Sequence, residues 1–218
     1  MSETTETAQP DQVLVYVHDP MCSWCYGFAP TWDALKAQLP RELAVVSILG
    51  GLAPDSDTPM DPEMAMHLRA TWERIASVCG VSFNLSYWDQ DPLPPRTTWI
   101  ACRAVIAAER VAGQGEAFIQ RIQTAYYQHA QNVWDPEVLV SLAVDAGFRE
   151  DAYREALHAE ETVALHREQM ELAARLQVEG YPSLLLIADG EGYPIAIRHN
   201  DPDGMAQEIL DLLAEPND

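Results

Sequence analysis

The sequence predicts an α/β fold whose sheet is assembled from both ends of the chain around an all-helical insertion. Three observations carry this reading. The first third reads as strand, helix, strand; the middle, from about residue 61 to 177, holds almost no strand signal; and the last forty residues return to short apolar runs. With 218 residues, 48% of them hydrophobic, the chain has material for a large core.

Each element has a local reason. Val13-Leu14-Val15-Tyr16-Val17 is β-branched and aromatic, the composition of a strand. From Cys22 to about Gln38, Phe28, Trp32 and Leu35 recur at spacings of four and three, which is one face of a helix. Pro30 inside it removes a hydrogen bond, so either the axis kinks or a fresh helix begins there. Leu43 to Leu49 is a second strand, closed by Gly50-Gly51, and a strand joined to a strand through one helix makes a right-handed parallel unit. Helices are predicted near Pro62 to Val78, Arg96 to Val111, Glu116 to Gln128, Pro136 to Ala146, Asp151 to Ala159 and Glu161 to Gln177. Gly80, the stretch Asp91 to Pro95, Gly113 to Gly115 and Gly147 punctuate them. Ser183 to Ile187 and Pro194 to Arg198 form a predicted hairpin across residues 188–192, and a last amphipathic helix aligns Met205, Ile209, Leu212 and Leu213. The expected organisation is a flexible tail at 1–11, a split sheet domain at 12–54 and 178–214, and a helical insertion at 55–177.

Charge narrows the function. Acidic residues number 34 against 13 basic, a formal charge of −21, and Lys36 is the only lysine. Nucleic acid and anionic membrane need cationic surface, so neither is expected as a partner. Surface charge of one sign is also how salt-tolerant proteins stay soluble. Residues 1–11 are polar, with no basic start and no apolar segment, so they read as neither a secretory signal nor a membrane span, and a cytoplasmic protein is expected. In a reducing compartment, closely spaced cysteines are redox-catalytic or metal-binding rather than structural staples.

Such a pair is Cys22-Ser23-Trp24-Cys25, directly after the first strand and at the mouth of the first helix. Residues i and i+3 of a helix have Cβ atoms roughly 5–6 Å apart, and a disulfide needs about 3.5–4.5 Å. The two sulfurs therefore meet or part with a small adjustment. The helix start offers unpaired N–H groups and the positive end of the dipole, which favour a thiolate. Cys22 is thus the expected nucleophile and Cys25, one turn deeper, the resolving thiol. Structural zinc wants four ligands, and Cys79 and Cys102 are isolated, so no metal is expected. Those two cysteines lie on apolar faces of predicted helices and read as core, with an inter-helix disulfide as the alternative. His18 closes the first strand four residues before Cys22 and is either a proton relay near the thiol or a structural group. Met21, Trp24 and Tyr181 offer apolar surface to a peptide, Phe28 reads as core, and the histidines at 67, 129, 158, 166 and 199 read as solvated.

Asp19-Pro20-Met21-Cys22-Ser23-Trp24-Cys25-Tyr26-Gly27-Phe28 near the start and Val178-Glu179-Gly180-Tyr181-Pro182-Ser183-Leu184 near the end resemble the DsbA-like branch of the thioredoxin superfamily. Within it the chain looks most like the FrnE-type and 2-hydroxychromene-2-carboxylate-isomerase-like proteins. The resemblance implies a thioredoxin-like fold with an inserted all-helical subdomain. It also implies that Pro182 is cis and faces the cysteine pair, making Tyr181 and Pro182 substrate-binding residues alongside Met21 and His18. Ser23 and Trp24 stand where DsbA has Pro-His and provide no cation for the thiolate. A couple milder than DsbA follows, between DsbA and thioredoxin at roughly −120 to −270 mV.

The expected function is a thiol-disulfide oxidoreductase acting on protein or small-molecule disulfides, with its own disulfide as redox centre and glutathione as a co-substrate. A cytoplasmic site favours reduction or isomerisation over net oxidation. One alternative is a glutathione-dependent isomerase or transferase, although those relatives place serine where this chain has Cys22. The other is a non-catalytic peptide-binding holdase.

Overall fold

The computed structural model describes residues 12–214; the expected polar tail at 1–11 lies outside the described residues. Its elements in order are β1 (Gln12–His18), α1 (Ser23–Lys36), β2 (Ala44–Leu49), α2 (Pro62–Cys79), α3 (Trp99–Ala112), α4 (Gly115–Gln123), α5 (Pro136–Asp145), α6 (Glu150–His158), α7 (Glu160–Arg175), β3 (Ser183–Ala188), β4 (Glu191–Ile195) and α8 (Pro202–Ala214). A 3-10 turn at Leu85–Asp89, which carries no amphipathic period, escapes the sequence reading.

The strands form one sheet in the order β2-β1-β3-β4, with β1 and β2 parallel and the other two pairs antiparallel. Strand alternation divides β1 between two layers. Leu14 and Tyr16 pack with Phe28, Trp32 and Leu35 of α1 and with Met205 and Ile209 of α8. Val15 and Val17 face the other way, onto Ala173 and Leu172 of α7. The second half of α7, assigned from sequence to the insertion, thus covers one face of the sheet.

Helix α1 runs unbroken through Pro30, whose ring is exposed; no fresh helix begins there. The hairpin is tighter than the sequence reading, because Asp189 and Gly190 both take positive φ (54° and 83°) and pairing resumes at once with Ala188 opposite Glu191. Positive φ at both central residues is the two-residue turn that matches strand twist, and Asp-Gly suits it. β4 therefore starts three residues before the predicted Pro194.

The helical layer packs around an aromatic nest. Trp72 contacts Phe83, Tyr87, Trp88, Tyr126 and Tyr127 at ring separations of 4.8–5.6 Å. The predicted helix over 116–128 ends as α helix at Gln123 and widens into a π turn over Thr124–Gln128, which buries both Tyr126 and Tyr127. Tyr26 of α1 joins this nest, stacking on Tyr127 at 4.5 Å and donating its hydroxyl to Ser82 O at 3.0 Å. One turn of α1 therefore fastens the cysteine-bearing helix to the insertion.

Candidate active site

Strand β1 and helix α1 set the cysteines at the edge between the two layers. Cys22 is the N-cap of α1, with extended backbone (φ −79°, ψ 116°), and its N–H is bonded to Asp19 O at 3.0 Å. Both cysteines are free thiols. Cys22 Sγ points at the carbonyl oxygen of Tyr181, 3.4 Å away and 159 residues along the chain. Tyr181–Pro182 is cis. The structure thus brings together Cys22, Tyr181 and Pro182, which the sequence separates by most of its length.

The two thiols differ in surroundings. Cys25 is fully buried, and burial, with contributions from Cys22, pushes its pKa well above that of an ordinary thiol. It stays protonated at neutral pH. Cys22 is also buried, 5% exposed against 1% for Cys25, but it lies beside half-buried Met21, Ser23 and Tyr181. Trp24 is more covered than a surface platform: its ring meets that of His199 at 4.8 Å, tilted by 39°, with the Arg74 guanidinium 5.7 Å from its ring centre.

His18 does not share the Cys22 face. It is buried, stacks on Tyr16 at 4.6 Å and bonds through Nε2 to Ser47 Oγ at 2.6 Å. Burial lowers its pKa to about 4, so it is neutral at pH 7 and adds no charge for a thiolate. Two histidines read as solvated are packed instead: His166 is buried and bonds to Gly50 O at 2.6 Å, and His199 lies on Trp24. Isolated histidines carry no periodic signal, so their packing is invisible in sequence. Cys102 is buried as expected, while Cys79 is half-buried, at the end of α2 against Gly27.

The residue that sequence reasoning missed is Asp19. Its carboxylate is wholly buried and accepts from Met21 N (2.8 Å), Leu52 N (3.0 Å) and Thr98 Oγ1 (2.7 Å). These partners are the segment leading into Cys22, the loop after β2 and the N-cap of α3. Burial raises the Asp19 pKa, and those hydrogen bonds, with one from Cys102, oppose the rise. A charged residue between an apolar strand and a cysteine was the available signal. Gly50, in the same loop, faces the Tyr181 ring so closely that a Cβ there would lie 2.5 Å from Tyr181 Cε1.

Comparison with known proteins agrees with this architecture. Residues 13–209 match the DSBA-like thioredoxin domain. The ClpXP adapter protein SpxH of Bacillus subtilis is 27% identical over 178 residues, 81% of this chain and 58% of that protein. The chain spans about three fifths of the length of the curated relatives it matches. A candidate protein disulfide isomerase of Nitrosomonas europaea superposes with a TM-score of 0.80 at 26% identity, over 92% of this chain and 96% of that one. The cytosolic disulfide reductase DsbM of Pseudomonas aeruginosa does so at 0.76 and 27%, over 92% and 98%, and a structure of DsbM with GSH is also similar. No described helix is long and apolar enough to cross a membrane. With its sheet, insertion and cysteine placement accounted for, the chain belongs to the DSBA-like thioredoxin domain family.

Proposed function

We propose that the protein is a thiol-disulfide oxidoreductase of the cytoplasm, with Cys22 as nucleophile and Cys25 as resolving thiol. The observation that carries this is the placement of Cys22 Sγ at the helix start, 3.4 Å from the Tyr181 carbonyl, with Cys25 buried one turn behind. The Cys22 thiolate attacks one sulfur of a substrate disulfide, forming a mixed disulfide and releasing the other sulfur as a thiolate. Cys25, on losing its proton, attacks Cys22 Sγ, closing the Cys22–Cys25 disulfide and releasing the second substrate thiolate. Two molecules of glutathione then return the pair to the dithiol and leave as glutathione disulfide. Likeness to a cytosolic disulfide reductase, one structure of which holds GSH, supports the reducing direction and this small thiol.

The test is direct. Cys22→Ser should abolish insulin reduction and dithiol oxidation, and Cys25→Ala should accumulate mixed disulfides. Undiminished turnover in Cys22→Ser would refute the reading.

The names of the curated relatives favour a second reading, a protein-binding adapter role for the same fold. Partner binding that survives replacement of both Cys22 and Cys25 by serine would support it.

A further inference from the structure

A cavity of about 460 Å³ lies between α1, β2 and the facing helices α3 and α4. Cys25 is on its wall, whereas Cys22, Tyr181 and Pro182 are not among its lining residues. It is therefore separate from the face on which Cys22 meets a disulfide.

The chemistry of the lining is specific. Its interior polar groups, among them Tyr16, His18, Ser47 and Gln123, are uncharged at neutral pH, since burial holds His18 at about 4. Its charged groups are already satisfied by protein. Lys36 pairs with Asp33 at 3.2 Å and with Glu116, Arg110 donates to Thr162 Oγ1 at 2.6 Å, and Glu109 accepts from Gly115 N at 2.9 Å. Gln123 is the exception among these groups: it is only 5% exposed, and its carboxamide makes no hydrogen bond to any described residue. The carboxamide keeps its accessible surface on the cavity rather than against protein, and a polar group that converges on an apolar cavity in this way marks where a ligand's polar group fits. Trp32, Ile106, Ile119 and Leu165 supply the apolar walls.

We propose that this cavity binds an uncharged small molecule with an apolar, flat body and one carboxamide or hydroxyl head that pairs with Gln123. An anionic ligand would find both cations of the lining already beside carboxylates, Lys36 with Asp33 and Glu116 and Arg110 with Glu161 at 4.0 Å, and would lose its hydration with little compensation. The volume is that of small-molecule sites in general. The site does not depend on thiol exchange, so it is tested by binding in both native and Cys22→Ser protein.

The probe is indole-3-carboxamide, titrated calorimetrically into the reduced full chain, with indole-3-carboxylate as the charged control. The amide should saturate one site per chain, and the carboxylate should bind at least about tenfold more weakly. Gln123→Leu should weaken the amide by about tenfold, the worth of one hydrogen bond. Ile119→Trp, which fills the cavity, should abolish binding while leaving Cys22-dependent exchange intact; Val45→Trp on the facing strand β2 is the second filling variant should the first not fold. No saturable binding, equal binding of the carboxylate, or undiminished binding in a filled variant would overturn the proposal.

Discussion

Gly50 is the position at which a single methyl group tests the site geometry. A Cβ there would lie 2.5 Å from Tyr181 Cε1 and closer still to Cζ and the hydroxyl, and ordinary contact begins near 3.4 Å, so the ring must retreat by at least about 0.9 Å. That ring belongs to the residue whose carbonyl oxygen stands 3.4 Å from Cys22 Sγ. Gly50 itself has no positive φ, so alanine strains nothing in its own backbone and the effect is confined to the clash. Misplacement of a reacting geometry by ~1 Å costs up to about a hundredfold in rate. Gly50→Ala should therefore lower kcat/KM for disulfide reduction by about 10- to 100-fold. Overpacking should cost the fold only about 1–3 kcal/mol. Insulin reduction reads the first quantity and urea unfolding the second. The same substitution in a Tyr181→Ser background should lose little relative to Tyr181→Ser alone. An equal loss in both backgrounds would refute the steric reasoning.

Three further outcomes are expected. Mass spectrometry of Cys25→Ala incubated with an oxidised peptide should find that peptide on Cys22, and attachment elsewhere would reassign the nucleophile. Asp19→Asn turns an amide N–H toward the Leu52 N–H that the carboxylate now accepts, leaving a buried donor unsatisfied at about 1–3 kcal/mol. Its Tm should fall by roughly 2–12 °C, and an unchanged Tm would show the carboxylate is not a structural hub. His18 is held at about 4 in the fold against an ordinary value of 6.5, so between these values the unfolded chain binds the extra proton and stability falls on acidification. The loss from this group is roughly 2.5 kcal/mol between pH 7 and 4.5. His166 and His199, also lowered by burial, act in the same direction and Asp19, raised, acts against it. Urea unfolding of native protein and His18→Gln at the two pH values isolates the His18 share; parallel losses would show that His18 is not the buried neutral group.

The elements were legible where one period dominated. Phe28, Trp32 and Leu35 mark the face of α1 that packs on β1, and Met205 and Ile209 mark α8, because both helices bury a single stripe. The cysteine pair was legible because its spacing and its place after a strand are local properties. What failed was non-local or aperiodic. Asp19 had no local signal of its role, since two of the donors that hold it come from residues 52 and 98. The π turn at 124–128 continues a helical pattern without a break, so only the burial of adjacent Tyr126 and Tyr127 reveals it. Of the two sequence readings of His18, proton relay or structural group, the strand favours the second by turning it to Ser47 across the pair β1–β2.

Equilibration against a series of glutathione to glutathione-disulfide ratios reads whether Cys22 and Cys25 form one reversible couple. A disulfide between these two residues is expected, titrating at a potential of roughly −120 to −270 mV, milder than DsbA because Ser23 and Trp24 bring no cation to the thiolate. A pair that never closes under oxidised glutathione, or a potential more positive than that of DsbA, would contradict it.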